Sequence, residues 1–269
     1  MIYDNYIFDL YGTLIDIHTD EEAKEFWEKV AGYIKKEFGL EFKPDELHRR
    51  YREVYDEEVE KLAKELTACK RNNVDKSNDV STVKSRKGIL PVLDNTIRGN
   101  MHPEIRVSWV WDRILGEGAV HASAAQIPSP IPNDGPVDTP SPEIQRLCTF
   151  FRESSRDRMK IYPGTKETLQ KIKDGGKRVF LLSNAQRSFT YKEIQECGLE
   201  PYFDGIFISS DKMIMKPQKE FLEALMEKYS LDRSKCVMIG NEIGSDIAIA
   251  DNCGIDSILI KDGDFRKIL

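Results

Sequence analysis

Five short apolar runs punctuate this chain: Tyr6-Ile7-Phe8, Val179-Phe180-Leu181-Leu182, Ile206-Phe207-Ile208, Val237-Met238-Ile239 and Ile258-Leu259-Ile260. None alternates with polar residues. Such runs predict strands covered on both faces, as in a parallel sheet. Amphipathic stretches before and between the last four predict helices over 165–174, 187–197, 217–229 and 244–253. Glycines stop three of them (Gly175-Gly176, Gly198, Gly254), and Pro217 opens the third. Strand alternating with helix is the βαβ pattern, so residues 1–15 and 161–269 read as a doubly wound parallel α/β core.

Residues 16–160 have a different texture and read as a helical cap inserted into that core. Thr19-Asp20-Glu21-Glu22 has the form of a capping box, opening a helix that Gly39 closes. Pro44 opens a second helix, highly charged and expected to run to about residue 68. Pro103 and Pro142 are expected to open two more, carrying Val107, Val110, Trp111 and Ile114, then Ile144, Leu147 and Phe151, at helical spacing. Four amphipathic helices make a small bundle, with Trp109 and Trp111 in its core. Residues 69–100 are polar, and residues 117–142 hold six prolines, from Pro128 to Pro142. Both stretches read as long surface loops.

Charge narrows the classes of function. The 269 residues carry 40 basic and 46 acidic side chains, net −6, which argues against a nucleic-acid footprint. The five cysteines form no CxxC pair, so neither a disulfide framework nor a zinc site is expected. The four histidines lack ligand or triad spacing, and no G-x-S-x-G turn is present. The start, Met1-Ile2-Tyr3-Asp4-Asn5, has no signal-peptide pattern, and no run approaches the ~20 apolar residues of a membrane span. A cytoplasmic protein is expected, as monomer or homodimer, with no membrane partner.

Ligands of an open α/β sheet bind beyond the carboxyl ends of its strands. The residues just past each apolar run are therefore the candidates for chemistry. The first run ends in Asp9-Leu10-Tyr11-Gly12-Thr13, the second in Ser183-Asn184. Lys216-Pro217 comes after the third, and Gly240-Asn241-Glu242-Ile243-Gly244-Ser245-Asp246 after the fourth. A carboxylate at a buried strand end must be paired or metal-bound, and one so fixed can act as a nucleophile. Gly12 lets the backbone approach a ligand, Ser183 and Asn184 can hold a phosphoryl oxygen, and Lys216 can neutralise nucleophile and phosphate together. Glu242 and Asp246, four apart, can share a helix face and supply oxygens to a hard cation such as Mg²⁺. Each has a bland explanation when taken singly: a turn cap, a plain turn, a surface lysine, an acidic first helical turn. The four in this order do not.

Together they resemble the haloacid dehalogenase (HAD) superfamily. Phe8 to Leu14 is similar to its first motif, Leu182-Ser183-Asn184 to its second, Lys216-Pro217 to its third and Gly240 to Asp246 to its fourth. Tyr162-Pro163-Gly164 resembles the return from cap to core. The resemblance covers the core; the cap matches in position and helicity only. It implies Asp9 as nucleophile, and Gly12, Thr13, Ser183, Asn184 and Lys216 around the substrate. It also implies Mg²⁺ held by Asp9, the backbone carbonyl of Tyr11, and a choice among Asn241, Glu242 and Asp246.

Two departures bear on the activity. Family phosphatases carry a second Asp where this chain has Tyr11, whereas the family's dehalogenases carry Tyr there. Against dehalogenation stand the retained Glu242 and Asp246, since the dehalogenases use no metal, and Leu222, where they have a Tyr. The arginine they need in the cap has only Arg49, Arg50 and Arg52 as candidates, in a helix that reads as a solvated face. The expectation is a Mg²⁺-dependent phosphatase of a small-molecule phosphate ester, with Tyr11 positioning water or leaving group. The alternatives are a metal-free 2-haloacid dehalogenase, and a homologue that binds without turnover because Tyr11 and Asn241 replace acids.

Overall fold

The computed structural model describes residues 2–76, 101–116 and 139–268. The chain opens with strand β1 (Asn5–Phe8) and β2 (Ile15–Thr19). Helices α1 (Lys24–Phe38), α2 (Pro44–Lys76), α3 (Val107–Leu115) and α4 (Pro142–Ser155) come next, and β3 (Arg156–Ile161) leads back. The remainder alternates: α5 (Thr165–Asp174), β4 (Arg178–Ser183), α6 (Arg187–Glu196), β5 (Gly205–Ile208), α7 (Lys219–Lys228), β6 (Cys236–Gly240), α8 (Ala248–Cys253) and β7 (Asp256–Leu259).

Five strands form one sheet in the order β5-β4-β1-β6-β7, each pair parallel. Helices cover both faces, as the unbroken apolar runs predict. Within β4, Phe180 and Leu182 join one buried cluster while Val179 and Leu181 join another, because successive side chains of a strand point to opposite faces. The helices between β2 and β3 build a cluster of their own around Phe26, Trp27, Trp111 and Phe151. Tyr51, Trp111 and Phe151 meet in a triangle of rings, with centroids 5.0, 5.2 and 5.3 Å apart.

Several local expectations are corrected. Thr19 is not a helix cap; it ends β2, and Asp20 Oδ1 accepts the backbone N–H groups of Glu22 and Ala23 ahead of α1. β2 and β3 form an antiparallel two-stranded ribbon that the charged run Arg156-Asp157-Arg158 conceals. Ile15 faces Ile161 and Ile17 faces Met159 across it. Helix α2 continues past residue 68 to Lys76, so residues 69–76 are helical rather than loop. Residues 77–100 and 117–138, within the two expected loops, lie outside the described residues. Pro103 opens no helix but bridges antiparallel to Ile214, and α3 starts at Val107. Pro217 likewise precedes α7 rather than opening it. The expected 244–253 helix begins as a π-turn over Ile243–Ile247 before α8.

Candidate active site

Parallel strands all end at one edge, which gathers the polar residues beyond them. Asp9 extends β1 by one residue, its N–H donating to the Ile239 carbonyl at 2.9 Å. The residue is 7% exposed. Lys216 comes in beside it, 3% exposed, and Asp246 on the other side is 1% exposed. The Lys216 ammonium donates to Asp9 Oδ1 and to Asp246 Oδ1, at 2.7 Å each. One cation thus serves two buried carboxylates, leaving an excess negative charge in a low-dielectric place. Burial pushes the Asp9 carboxyl up, and the Asp246 charge adds to that against the pull of Lys216. Burial alone would lower Lys216; the Asp9 and Asp246 charges override it and raise the ammonium.

Neighbouring groups fix these three. The Thr13 hydroxyl lies 3.2 Å from Asp9 Oδ2 and 3.0 Å from Asn241 Oδ1, tying the ends of β1 and β6 together. Gly12 has φ +80°, and a Cβ there would stand 2.5 Å from Asn241 Nδ2, so a side chain would be strained and would press on Asn241. Asn184 uses both ends of its amide on the Lys216 backbone, accepting from N at 2.8 Å and donating to O at 3.1 Å. It therefore aims the lysine rather than offering itself to a phosphoryl oxygen. Asp246 folds back into its own π-turn, where Oδ2 accepts the N–H groups of Asn241 and Glu242 at 3.0 Å each. Glu242 is exposed and accepts from Ser245 Oγ at 2.8 Å. The Ser183 oxygen is buried, with no hydrogen-bond partner among the described residues. Such an orphan fits a ligand oxygen.

The Tyr11 hydroxyl turns to helix α6. It donates within a cluster of Thr190 Oγ1, at 3.0 Å, and Glu193 Oε2. Glu193 is 2% exposed and also receives Arg152 Nε at 2.8 Å and Arg156 Nη1 at 2.8 Å. The Arg152 guanidinium sits 5.1 Å from the Tyr11 ring centroid. Burial first, then the Glu193 charge, pushes the Tyr11 phenol well above its ordinary range. Sequence reasoning singled out none of Arg152, Glu193, Thr190 and Ser245. A glutamate on a polar helix gives no sign that another segment will bury it.

A cavity of about 190 Å³ opens over Asp9, Tyr11, Asn184, Lys216, Asn241, Glu242, Ser245 and Asp246. Among the described residues no three His, Cys, Asp or Glu side chains converge to hold a metal unaided. Mg²⁺ does not require that, since it keeps waters and substrate oxygens and takes one or two carboxylates from the protein. Asp9, Asp246 and the Asn241 amide oxygen offer a hard, all-oxygen donor set, and the excess negative charge around Lys216 suits a divalent cation.

The central strand of the parallel sheet thus presents a buried, lysine-paired carboxylate to a polar cavity. The chain belongs to the haloacid dehalogenase-like hydrolases, whose family model matches residues 3–254. It is similar to the glyceraldehyde 3-phosphate phosphatase of Methanothermobacter thermautotrophicus, 26% identical over 102 residues, 38% of this chain and 45% of that one. It is also similar to the phosphoglycolate phosphatase of Vibrio parahaemolyticus, 29% identical over 108 residues, 40% of this chain and 47% of the other. The chain thus spans about half the length of the curated relatives it matches. Among solved structures it is similar to a HAD phosphatase from Thermococcus onnurineus, with TM-score 0.46 and 14% identity over 98% of this chain and 88% of that one. The L-2-haloacid dehalogenase from Xanthobacter autotrophicus gives TM-score 0.45 and 14% identity over 96% and 77%. No helix among the described residues is long and apolar enough to cross a membrane.

Proposed function

We propose that this chain is a Mg²⁺-dependent phosphomonoesterase of small phosphorylated metabolites, working through an aspartyl-phosphate on Asp9. One observation carries the reading: Asp9 and Asp246 share a single ammonium at 2.7 Å each, both buried, under a polar cavity. A divalent cation held by Asp9, Asp246, the Tyr11 carbonyl and Asn241 or Glu242 would supply the missing positive charge and neutralise phosphoryl oxygens. Asp9, oriented by Thr13, attacks phosphorus in line. Lys216 counters the charge on the phosphoryl oxygens, and the Ser183 hydroxyl takes one of them. Phosphoryl transfer depends chiefly on such positioning and electrostatics. The phosphatase names of the curated relatives, which match part of the chain, agree with this reading.

Tyr11 keeps a metal-free dehalogenase as the second reading. The arginines that it would need speak against it: Arg52 pairs outward with Glu22, Arg49 and Arg50 lie against Glu53, and none lines the cavity. Leu222, where a dehalogenase tyrosine would stand, is packed in the core. The test is release of phosphate from 4-nitrophenyl phosphate. Asp9→Asn is expected to abolish it with the circular-dichroism spectrum intact, and EDTA to stop it until Mg²⁺ returns. Full activity in Asp9→Asn would remove Asp9 from its role, and EDTA-resistant chloride release from 2-chloropropionate would favour the dehalogenase.

A further inference from the structure

Breaking the ester bond of a phosphate sends an electron pair to the leaving oxygen. An alkoxide must receive a proton as it departs, whereas a carboxylate or a phenolate leaves as a stable anion. The described groups around the cavity are badly placed to give one. A proton on Asp9 would disarm the nucleophile, and Asp246 is committed to Lys216 and to its own turn. The Lys216 ammonium points its bonds at the two aspartates, and the Asn184 amide is spent on the Lys216 backbone. Ser245 donates to Glu242, which accepts. Tyr11 is the side chain nearest in sequence to the nucleophile with a transferable proton, and its hydroxyl is turned to Thr190 and Glu193. Two arginines hold that glutamate, so although Tyr11 lines the cavity its hydroxyl is engaged by a buried charged cluster.

We infer that the site selects phosphates whose leaving group departs unprotonated, acyl phosphates first and aryl phosphates next, over alkyl phosphates. This rests on the phosphatase reading above. In the first step the Asp9 oxygen bonds to phosphorus, and the bond to the leaving oxygen breaks with its pair, releasing a carboxylate or phenolate. In the second, water bonds to phosphorus and the Asp9–phosphorus linkage breaks with its pair returning to Asp9. One water proton stays on the entering oxygen and the other passes to a phosphoryl oxygen, so the products are the organic anion and dihydrogen phosphate.

The experiment measures kcat/KM of the full chain with Mg²⁺ on acetyl phosphate, 4-nitrophenyl, phenyl and 4-methoxyphenyl phosphates, and glycerol 2-phosphate. The aryl series keeps the shape of the leaving group nearly constant. Values are expected to track leaving-group acidity, with a fall of at least ~10²-fold from 4-nitrophenyl phosphate to glycerol 2-phosphate, the low end of what a positioned acid contributes. A smaller fall overturns the inference while the phosphatase reading stands. Phosphate released from none of the five removes that reading, and the inference with it. In Tyr11→Phe the same ratio is expected whatever the overall rate; a steeper fall would mean that the phenol delivers the proton.

Discussion

Glu104 is a carboxyl group in an expensive place. It is 7% exposed, in the segment before α3, with Oε1 accepting from Gln186 Nε2 at 2.6 Å and Oε2 accepting from Ser209 Oγ at 3.0 Å. Burial raises it from an ordinary 4.5 to about 7, and those two hydrogen bonds offset only part of the cost. Between pH 4.5 and 7 the native state keeps a proton that the unfolded chain releases, so unfolding free energy falls as pH rises. The contribution is complete below 4.5 and is lost as pH passes 7. At ~1.4 kcal/mol per unit, the interval sets a ceiling of ~3.4 kcal/mol, and partial relaxation of the site brings the expected value to ~2–3 kcal/mol. In Glu104→Gln the amide can donate to Ser209 Oγ, whose hydroxyl can turn to the Ala185 carbonyl at 3.1 Å. The variant is therefore expected to match the wild type within ~1 kcal/mol at pH 5 and exceed it by ~2–3 kcal/mol at pH 8. Urea unfolding at half-unit steps of pH, with a constant m-value, measures this. Parallel profiles for the two proteins would refute the reasoning.

Removing the glutamate of the other buried cluster, in Glu193→Ala, leaves Arg152 and Arg156 without their shared carboxylate and is expected to cost ~3–5 kcal/mol; thermal denaturation reads it, and a loss under ~1 kcal/mol would mean that solvent reaches the arginines. Gly12→Ala forces a Cβ to within 2.5 Å of Asn241 Nδ2 at φ +80°, so ~1–3 kcal/mol of strain is expected together with a fall in phosphate release as Asn241 is displaced. Wild-type turnover in that variant would show that the Asn241 side chain is free to move aside.

The sheet was legible because residues buried on both faces leave an unmistakable apolar run, and parallel strands end at a common edge. That topology brings the ends of β1 and β6, and with them Asp9 and Asp246, together from positions 237 residues apart. The β2–β3 ribbon was hidden for the opposite reason. Arg158 and Lys160 satisfy Asp16 across an open surface, and charge on a two-stranded ribbon looks like a linker. Pro103 misled because a proline is equally at home ahead of a helix and in an edge bridge, where its missing N–H is not needed. Glu193 was unreadable in kind: its burial is decided by Arg152, 41 residues earlier, and by Tyr11 beyond that.

The inserted helices are held to the core by more than apolar contact, and the attachment reaches the lysine. Gln186 at the head of α6 accepts the Val107 N–H at 2.9 Å and donates to the Ile105 carbonyl at 2.8 Å. Glu104 N–H donates to the Met213 carbonyl at 3.0 Å, and Met215 N–H to the His102 carbonyl at 2.9 Å. Met215 is one residue before Lys216, whose own N–H is pinned by Asn184. Displacing the segment at 102–107 must therefore break two backbone hydrogen bonds or carry Met215 along, against the grip of Asn184 on the next residue. Because two buried carboxylates depend on the position of one ammonium, small shifts there are costly, and the route from the inserted helices to Lys216 is short and covalent at its last step, with Asp9 an ion pair beyond.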